Sequence, residues 1–405
     1  MRILLINHYA VPERGSFGTR HAVLARFLRE LGHEVTVMAS AIPDGRHETV
    51  PVSGLFADRI EGGVHFRFIR TNRYRSLPGR FLSMLLFRAR AVRASSDLRA
   101  PDVVIGSSVH LHAADAGRRI AHRFGVPFVF EVRDVWPEVF LDMRAMSRRN
   151  PVYQYLRFLE LRLYREAVAV ITLLPGMKEY LRAHGVSEQR IWYIPNGVDT
   201  ALFEEPRPPP PAPPFVVSYF GAHGPANGLD TVIRAAAVLK RAGAAVKFRL
   251  VGDGSRKPAL RALASELGIG PDLVEFLDPV PKVALQPLAT ATHAFVFHLK
   301  DLAVLRRYGL SANKLFDYLL AGRPILFACR AANNPVEEAQ AGLIVPPEDP
   351  EALADAALRL SRTPQAERDS MGRRGREWVR EHHDLRRLAG RLASHLEQVV
   401  GARSD

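Results

Sequence analysis

The strongest candidates for chemistry lie at the start of one amphipathic stretch in the second half of the chain, residues 306–324. Ser311 has the residue type of a helix N-cap, which would place Asn313 and Lys314 in the first helical turn. A cation there opposes the helix dipole, which is unfavourable unless an anion binds nearby. Asp317 follows Asn313 by one turn and shares its side of the helix. The pattern favours a phosphate bound by the helix N-terminus and Lys314 and a ribose diol bound by Asp317, although a solvated helix face would have the same spacing.

Two glycine-rich turns follow apolar runs in the same half, and each precedes a helical pattern. Residues 220–230 contain three glycines, and residues 251–257 contain two glycines followed by two cations. Glycines before a helix free backbone N–H groups to receive an anion. Neither turn reads GxGxxG or is a P-loop with its lysine, which disfavours a plain dehydrogenase. The candidate nucleotide-binding residues in these turns are Gly221, His223, Gly224, Gly252, Gly254, Arg256 and Lys257.

The first half has a looser turn of the same kind after its first apolar run. The loop after that run contains His8, Arg14, Gly15 and Gly18, and a helix is predicted to start near Phe17. Such a turn could bind an anion or a hydroxyl group, but a plain strand-to-helix connection would look the same.

Short apolar runs alternate with amphipathic helical patterns throughout the chain, which predicts parallel sheets covered by helices. The seven prolines in residues 204–214 predict an extended spacer. We therefore expect a Rossmann-like domain at 1–203, a linker at 204–214, a second such domain at 215–381 and a C-terminal helix at 382–405. The predicted strands are 3–6, 35–38, 103–105, 128–130, 168–171, 192–194, 216–220, 248–251, 274–277, 294–297, 325–328 and 343–345.

Composition narrows the class of protein. The 405 residues carry a formal net charge of +14, of which residues 1–203 supply +10 and residues 204–405 supply +4. The single cysteine, Cys329, excludes an intrachain disulfide framework and favours a reducing cytosol. The first apolar run is shorter than a signal peptide needs, and no run is long enough to span a membrane. We expect a cytoplasmic protein.

The excess positive charge is concentrated in residues 64–96, which contain eight arginines and no acidic residue. Within this segment, residues 81–87 form a dense apolar run with arginines on both sides. A basic amphipathic helix of this kind suits the surface of an anionic bilayer, which predicts peripheral attachment to the inner face of the cytoplasmic membrane. A core helix with solvated arginines is the alternative. Nucleic-acid binding is disfavoured because no recognised motif or stacking surface accompanies the charge.

Several motifs in order resemble the family 4 glycosyltransferases over nearly the whole chain. They are the IPNGVD segment at 194–199, the VGDG turn at 251–254 and the helix at 317–324. The stretches FEVRDVWPE (130–138) and NKLFDY (313–318) are similar to the bacterial subgroup that builds O-antigen and capsule repeats, including L-fucosamine transferases. The resemblance implies the GT-B fold and retaining transfer from a nucleotide sugar, with a UDP-sugar as donor and neither a metal nor another cofactor.

The resemblance also implies the division of labour between the domains. The second domain would hold the donor, and the first would hold a polyprenyl-linked or other glycan acceptor near His8, Arg14, Gly15 and Gly18. The C-terminal helix would cross back to the first domain. The chain contains no Asp-x-Asp pair, the metal–diphosphate motif of the other main glycosyltransferase fold.

Departures from the family pattern fall at charged positions. Gly309 stands where the first glutamate of the paired-glutamate motif is expected, and Asp317 stands where the second is. Ala222 and Asn227 replace an arginine and a lysine, so that Lys314, then Arg256 or Lys257, must supply charge to the diphosphate. Arg133 and Asp134 occupy the place of a catalytic histidine; they are candidates for the reaction site or form a structural ion pair.

Retention without a carboxylate nucleophile favours a front-face substitution, in which the leaving diphosphate helps to take the acceptor's proton. Lys314 is then the main catalytic candidate, because a cation stabilises the charge that builds on the leaving group. Two other functions remain open. One is a GT-B-fold sugar-nucleotide epimerase, and the other is a non-catalytic nucleotide-sugar binder.

Overall fold

The computed structural model describes residues 1–13, 19–43, 50–108, 110–142 and 146–402. It divides into two compact units. The first comprises Met1–Asn196 together with Leu385–Asp405, and the second comprises Gly197–Asp384. The expected pair of Rossmann-like α/β domains is confirmed, since each unit is built on a mainly parallel sheet flanked by helices.

The described part of the first unit has an eight-stranded sheet in the order β3-β4-β2-β1-β5-β6-β7-β8. The strands pair in parallel except β3, which pairs antiparallel with β4 at one edge. The strands are β1 Arg2–Ile6, β2 Glu34–Ser40, β3 Phe56–Glu61, β4 Val64–Ile69, β5 Val103–Ser107, β6 Phe128–Val132, β7 Ala169–Thr172 and β8 Ile191–Tyr193. The helices are α1 Arg20–Glu30, α2 Leu77–Ala94, α3 Leu111–Phe124, α4 Glu138–Asp142, α5 Pro151–Glu166 and α6 Met177–Ala183, with a 3-10 turn at Glu188–Arg190.

The second unit has a six-stranded parallel sheet within its described residues, in the order β11-β10-β9-β12-β13-β14. The strands are β9 Phe215–Phe220, β10 Val246–Val251, β11 Val274–Leu277, β12 Ala294–His298, β13 Ile325–Ala328 and β14 Gly342–Val345. The helices are α7 Leu229–Arg241, α8 Lys257–Glu266, α9 Leu285–Thr290, α10 Ala303–Tyr308, α11 Asn313–Leu320, α12 Pro335–Glu338, α13 Pro350–Arg362 and α14 Gln365–His382. Short 3-10 turns lie at Pro225–Asn227 and Lys282–Ala284.

The two strands that the apolar runs did not predict, β3 and β4, include the start of the basic segment 64–96. In β4 apolar and polar side chains alternate, so no continuous run marks the strand. Val64, Phe66 and Phe68 are buried in the core. Arg67 is also buried, where it pairs with Asp58 at 2.7 Å and with Asp97. Residues 64–69 therefore belong to the sheet of the first unit, and only the rest of the segment 64–96 is left for the predicted contact with a membrane surface.

The proline-rich stretch 204–214 is not the passage between the units, which the chain crosses at Asn196–Gly197. It lies along the second unit, where Arg323 donates a hydrogen bond to the carbonyl of Arg207. The ring of His293 is 2.8 Å from the carbonyl oxygen of Pro210. Because proline carbonyls remain free to accept hydrogen bonds, a segment that cannot join a helix can still be fixed to a neighbouring surface.

The last helix, α15 Leu385–Gly401, belongs to the first unit and packs on α1. Leu388, Leu392 and Leu396 lie in the same core cluster as residues of α1, and Arg386 pairs with Glu30 at 2.6 Å. Spacing of apolar residues by three and four places one stripe of a helix against its neighbour. No helix in the described ranges is both long and apolar enough to cross a bilayer.

Candidate functional site

Two glycine turns pack against each other at the carboxyl ends of β9 and β10. Gly221 donates its N–H to the carbonyl of Val251 at 3.0 Å, and His223 donates its N–H to Asp253 at 2.8 Å. A Cβ on Gly252 would lie 2.0 Å from the carbonyl oxygen of Gly221, and both glycines have positive φ. The close approach requires glycine at Gly252, because any side chain would collide with backbone.

Lys314, in the first turn of α11, reaches this pair of turns. The side chain is half-buried, and its ammonium donates a hydrogen bond to Tyr219 Oη at 2.9 Å and another to Asn227 Oδ1. Its Nζ also lies 4.7 Å from the ring centroid of Tyr219 and 5.2 Å from that of Phe297. Removal from water lowers the pKa of Lys314 to about 7. With this pKa the Lys314 side chain is only partly protonated at pH 7. It becomes fully charged when an anion binds beside it or when the pH is lower.

Tyr219 and Asn227, which accept the hydrogen bonds of Lys314, are both held in place by one backbone carbonyl. The Tyr219 hydroxyl donates to the carbonyl of Ala222 at 2.8 Å, and Asn227 Nδ2 donates to the same oxygen at 2.9 Å. With the amide nitrogen engaged, Oδ1 of Asn227 is left to accept from Lys314. The family resemblance expects a lysine at position 227. In this structure the cation beside that loop is Lys314 of α11.

The start of α11 differs in detail from the prediction. The N-cap is Ala312 rather than Ser311, and no side chain caps the helix. Asn313 is the first helical residue, so Lys314 does lie in the first turn. The preceding loop is held instead by Asn333, whose amide bonds both the N–H and the carbonyl of Leu310 at 2.7 and 3.1 Å. An uncapped helix start leaves backbone N–H groups that an anion could bind.

Gly309 ends α10 at a φ of 85°, a conformation that a side chain rarely adopts. The backbone here therefore favours glycine where the family resemblance expects glutamate. The loss of that carboxylate is a property of the local fold rather than an isolated substitution.

Asp317 is 9% exposed on α11. Its Oδ1 is 2.8 Å from the ammonium of Lys282, a residue of the 3-10 turn that follows β11. Burial raises the pKa of Asp317, and the nearby Lys282 opposes that rise. The carboxylate is therefore available at this edge of the sheet, with a cation beside it that the sequence did not reveal.

Lys257 does not present a free cation, contrary to the expectation for the second turn. Its ammonium is buried and contacts the carbonyls of Gly252 and Leu277 at 2.8 and 3.0 Å and Asp278 at 2.9 Å. It therefore supports the glycine turn from behind. Arg256, at the N-cap of α8, is exposed and could meet a ligand.

Arg256 and Gly224 share an open cavity of about 220 Å³ with the start of α7 and Lys300. Two cations and a helix N-terminus thus lie around one concave surface, beside the glycine turns. His223, by contrast, is buried, with its ring between Tyr219 and Phe276 at centroid distances of 6.1 and 6.4 Å. Burial lowers the pKa of His223 to about 4, so its imidazole is neutral at pH 7.

In the first unit the most strongly built polar cluster surrounds Glu131 at the end of β6. Arg20 Nη2 is 3.1 Å from Oε1, His21 Nε2 is 2.7 Å from Oε2, and Ser107 donates to Oε2 at 2.5 Å. Arg20 and His21 open α1, and Arg20 Nη1 also donates to the carbonyl of Pro195 at 2.6 Å. The cationic partners hold the pKa of Glu131 well below its usual range. This cluster fixes the start of α1 to the sheet.

Arg133 and Asp134 follow this strand. The N–H of Arg133 donates to Ser108 Oγ at 3.0 Å. Burial raises the pKa of Asp134, and the nearby charge of Arg133 opposes that rise. Contact with a ligand and a structural pair both stay predictions for these two residues.

His8 is 1% exposed and packs in an aromatic cluster instead of lining an open surface. Its ring centroid is 4.7 Å from Phe87 and 4.9 Å from His110, and His112 lies 6.2 Å beyond His110. Neither ring nitrogen of His8 has a hydrogen-bond partner among the residues that the structure describes. Arg14, Gly15 and Gly18 lie outside the described residues.

The structure thus places Gly221, Gly252 and Lys314 close together. Lys257 and His8 are buried among other residues and are not positioned to contact a ligand directly. The structure adds Tyr219, Asn227 and Lys282, which sequence reasoning did not assign. Tyr219 belongs to a buried apolar strand, and Lys282 is an isolated lysine in a proline-rich loop, so neither carried a pattern. No group of three or more His, Cys, Asp or Glu side chains in the described ranges is arranged to hold a metal ion.

Family models match both halves of the chain. Residues 19–202 match Glycosyltransferase Family 4, and residues 214–363 match Glycosyl transferases group 1. A probable glycosyltransferase, WbjE of Pseudomonas aeruginosa, is 23% identical over 368 residues, which is 87% of this chain and 88% of that protein.

Solved structures agree in fold. The sucrose-phosphate synthase of Thermosynechococcus elongatus superposes with a TM-score of 0.76 at 19% identity, covering 99% of each chain. Anabaena HepE in complex with UDP and glucose gives a TM-score of 0.69 at 17% identity, covering 98% of this chain and 100% of HepE. The two domain matches and the named relative support a glycosyltransferase, and the solved structures support the GT-B fold.

Proposed function

We propose that the chain transfers a sugar, with retention of configuration, from a UDP-sugar to a polyprenyl-linked or other glycan acceptor in cell-surface polysaccharide synthesis. By resemblance to the L-fucosamine transferase-like subgroup, the sugar is an N-acetylated amino or deoxy sugar. The observation that carries the proposal is the Lys314 ammonium held beside the glycine turn by Tyr219 and Asn227.

The proposed site acts mainly through electrostatics. The diphosphate would lie against the glycine turns and the start of α11, with Lys314 supplying the positive charge. As the glycosidic bond breaks, negative charge grows on the leaving diphosphate, and a preorganised cation stabilises it. In a front-face substitution the same diphosphate oxygen accepts the proton of the acceptor hydroxyl. No metal is required in this scheme.

Asp317 would bind the ribose of the donor. An ionised carboxylate has several acceptor positions and suits the two hydroxyls of a ribose diol. The aspartate is one methylene shorter than the glutamate that the family resemblance expects, so the ribose must lie closer to α11. The complex of HepE with UDP and glucose supports UDP as the nucleotide to test first.

A nucleotide screen separates the proposal from its alternatives. Thermal shifts with UDP, GDP, ADP and CDP should show the largest stabilisation with UDP. UDP-N-acetylamino sugars should then be consumed only when an acceptor is present, with equal rates in EDTA. Conversion of the UDP-sugar without an acceptor would indicate an epimerase. Donor binding without transfer or hydrolysis over hours would indicate a non-catalytic binder.

We also propose that the first unit attaches to an anionic membrane surface through the exposed apolar residues of α2. Leu77 is 80% exposed and Leu82 is 49% exposed, and Phe158 of α5 is 57% exposed. Both helices pack on α3, where Phe81 and Tyr155 contact His112 at centroid distances of 5.4 and 5.8 Å. Apolar side chains framed by arginines suit a bilayer interface.

Two arginines of the segment 64–96 are paired with acidic residues, so they are not available to bind an anionic membrane surface. Arg67 is paired in the core, and Arg88 lies 3.4 Å from Asp115 of α3. The apolar contacts must therefore supply much of the affinity.

Sedimentation with vesicles containing phosphatidylglycerol tests the attachment. The double substitution L77S/L82S should abolish binding. I60S, which changes a 76% exposed residue of β3, is the matched control. Equal sedimentation of L77S/L82S and the wild type would contradict the proposal.

A further inference from the structure

The ion pair between Lys282 and Asp317 joins two elements that are distant in sequence. Lys282 opens a 3-10 turn after β11, whereas Asp317 lies in the middle of α11. The two charged atoms are 2.8 Å apart, and the side chains are only 20% and 12% exposed. Burying two opposite charges is costly unless their geometry is good or their position serves a further purpose.

The geometry of the pair leaves Asp317 able to accept hydrogen bonds. Lys282 engages Oδ1 at 2.8 Å. An ionised carboxylate has about four acceptor positions, so a single cation at Oδ1 leaves others for a ligand. The cation thus compensates the charge of Asp317 while an acceptor position remains open to a ligand.

We propose that Lys282 is a positioning residue of the donor site, which holds Asp317 as an anion in the orientation that binds the ribose of the nucleotide. This inference rests on the proposed function, because it takes Asp317 as the ribose-binding residue. It adds a cation that the family motifs do not include, and it assigns to that cation an effect on donor affinity through Asp317.

The groups around Asp317 favour this role for Lys282. Burial favours the neutral acid, and Lys282 opposes it. The other titratable side chains of α11 are Lys314, three residues before Asp317, and the phenol of Tyr318. From α14 and the residue after it, Arg376 donates to the carbonyl of Leu320, and His383 stacks on Phe316 at 4.0 Å. These two contacts meet backbone or ring atoms of α11 and not the carboxylate.

Calorimetric titration of the full chain with UDP between pH 5.5 and 8.5 tests the inference. In K282M the pKa of Asp317 should rise, because the cation that opposes burial is lost. Relative to the wild type at the same pH, the UDP affinity of K282M should be about tenfold lower at pH 6.5 and less reduced at pH 8. K282R should retain most of the affinity, since it restores the charge. K240M is the matched control, because Lys240 bonds the carbonyl of Gly268 at the far end of α7 from the glycine turns.

The Asp317→Asn substitution completes the experiment. D317N should weaken UDP binding at every pH, and adding K282M to it should cause no further loss. If the wild type binds UDP and K282M binds it with the same affinity and pH profile, the inference is overturned and the pair is only structural. If the wild type binds none of the four nucleoside diphosphates, the proposed function itself fails.

Discussion

The affinity for UDP should decrease as the pH rises above 7, and Lys314 should be the cause. Burial lowers the pKa of Lys314 from 10.5 to about 7 in the protein without ligand. A bound diphosphate favours the ammonium form, because an opposite charge nearby raises the pKa of a lysine. Binding at alkaline pH must therefore include uptake of a proton.

The size of the effect follows from the fraction of protein that is protonated. With a pKa near 7, roughly nine-tenths of the Lys314 side chains are charged at pH 6 and roughly one-tenth at pH 8. Because apparent affinity scales with the fraction of competent protein, the Kd for UDP should rise by about tenfold between pH 6 and pH 8.

Calorimetry of two variants and the turnover of a third check this expectation. K314M should bind UDP weakly with little change above pH 7, and K314R should bind without the alkaline loss, since a guanidinium stays charged. With a donor and acceptor in hand, K314A should lower kcat by roughly 10²–10³-fold. A wild-type Kd that is constant from pH 6 to pH 8, or near-wild-type turnover of K314A, would refute the assignment of Lys314.

Three further predictions concern the framework of the two units. Replacing Gly252 with alanine should abolish UDP binding, because a Cβ there would lie 2.0 Å from the carbonyl oxygen of Gly221, whereas Gly54→Ala, with open space around it, should bind normally. Glu131→Ala should lower the free energy of unfolding in urea by about 3–5 kcal/mol, because it leaves the buried Arg20 without its carboxylate partner. Glu179→Ala, at an exposed position, is the control. Equal unfolding curves for Glu131→Ala and the wild type would contradict the role assigned to Glu131. Burial lowers the pKa of His8 to about 3 and that of His112 to about 4. As the pH falls below 6.5, the unfolded chain therefore binds more protons than the folded chain. Each of the two imidazoles should lower the free energy of unfolding by about 2 kcal/mol at pH 5 relative to pH 7. His112→Phe should remove its share of that loss in urea unfolding, and an unchanged pH dependence would count against the explanation.

Much of the fold could be predicted because its signals are local. Each of the twelve predicted strands corresponds to a strand of the structure, since continuous apolar runs mark strands buried on both faces. Strand β4 was missed because apolar and polar residues alternate along it, and the burial of Arg67 depends on Asp58 and Asp97 from other segments. Strand β3 was missed because it has no apolar run and no buried residue. The proline-rich stretch was expected to separate the domains, but its carbonyls bond the second unit.

The sequence by itself determined the chemistry that the two halves could perform. The glycine turns, the lysine at the start of α11 and the aspartate one turn later are set by residue type and short spacing, because a helix places such neighbours on one side. The motifs also placed the chain in the glycosyltransferase class.

Only the tertiary structure decided which charges are available at the site. It fixed Lys257 behind the second glycine turn, brought Lys314 to Tyr219 and Asn227, and paired Lys282 with Asp317. These partners lie between 5 and 95 residues apart along the chain. Which of them meet depends on how strands and helices pack, and burial at those contacts then lowers the pKa of Lys314 and raises that of Asp317.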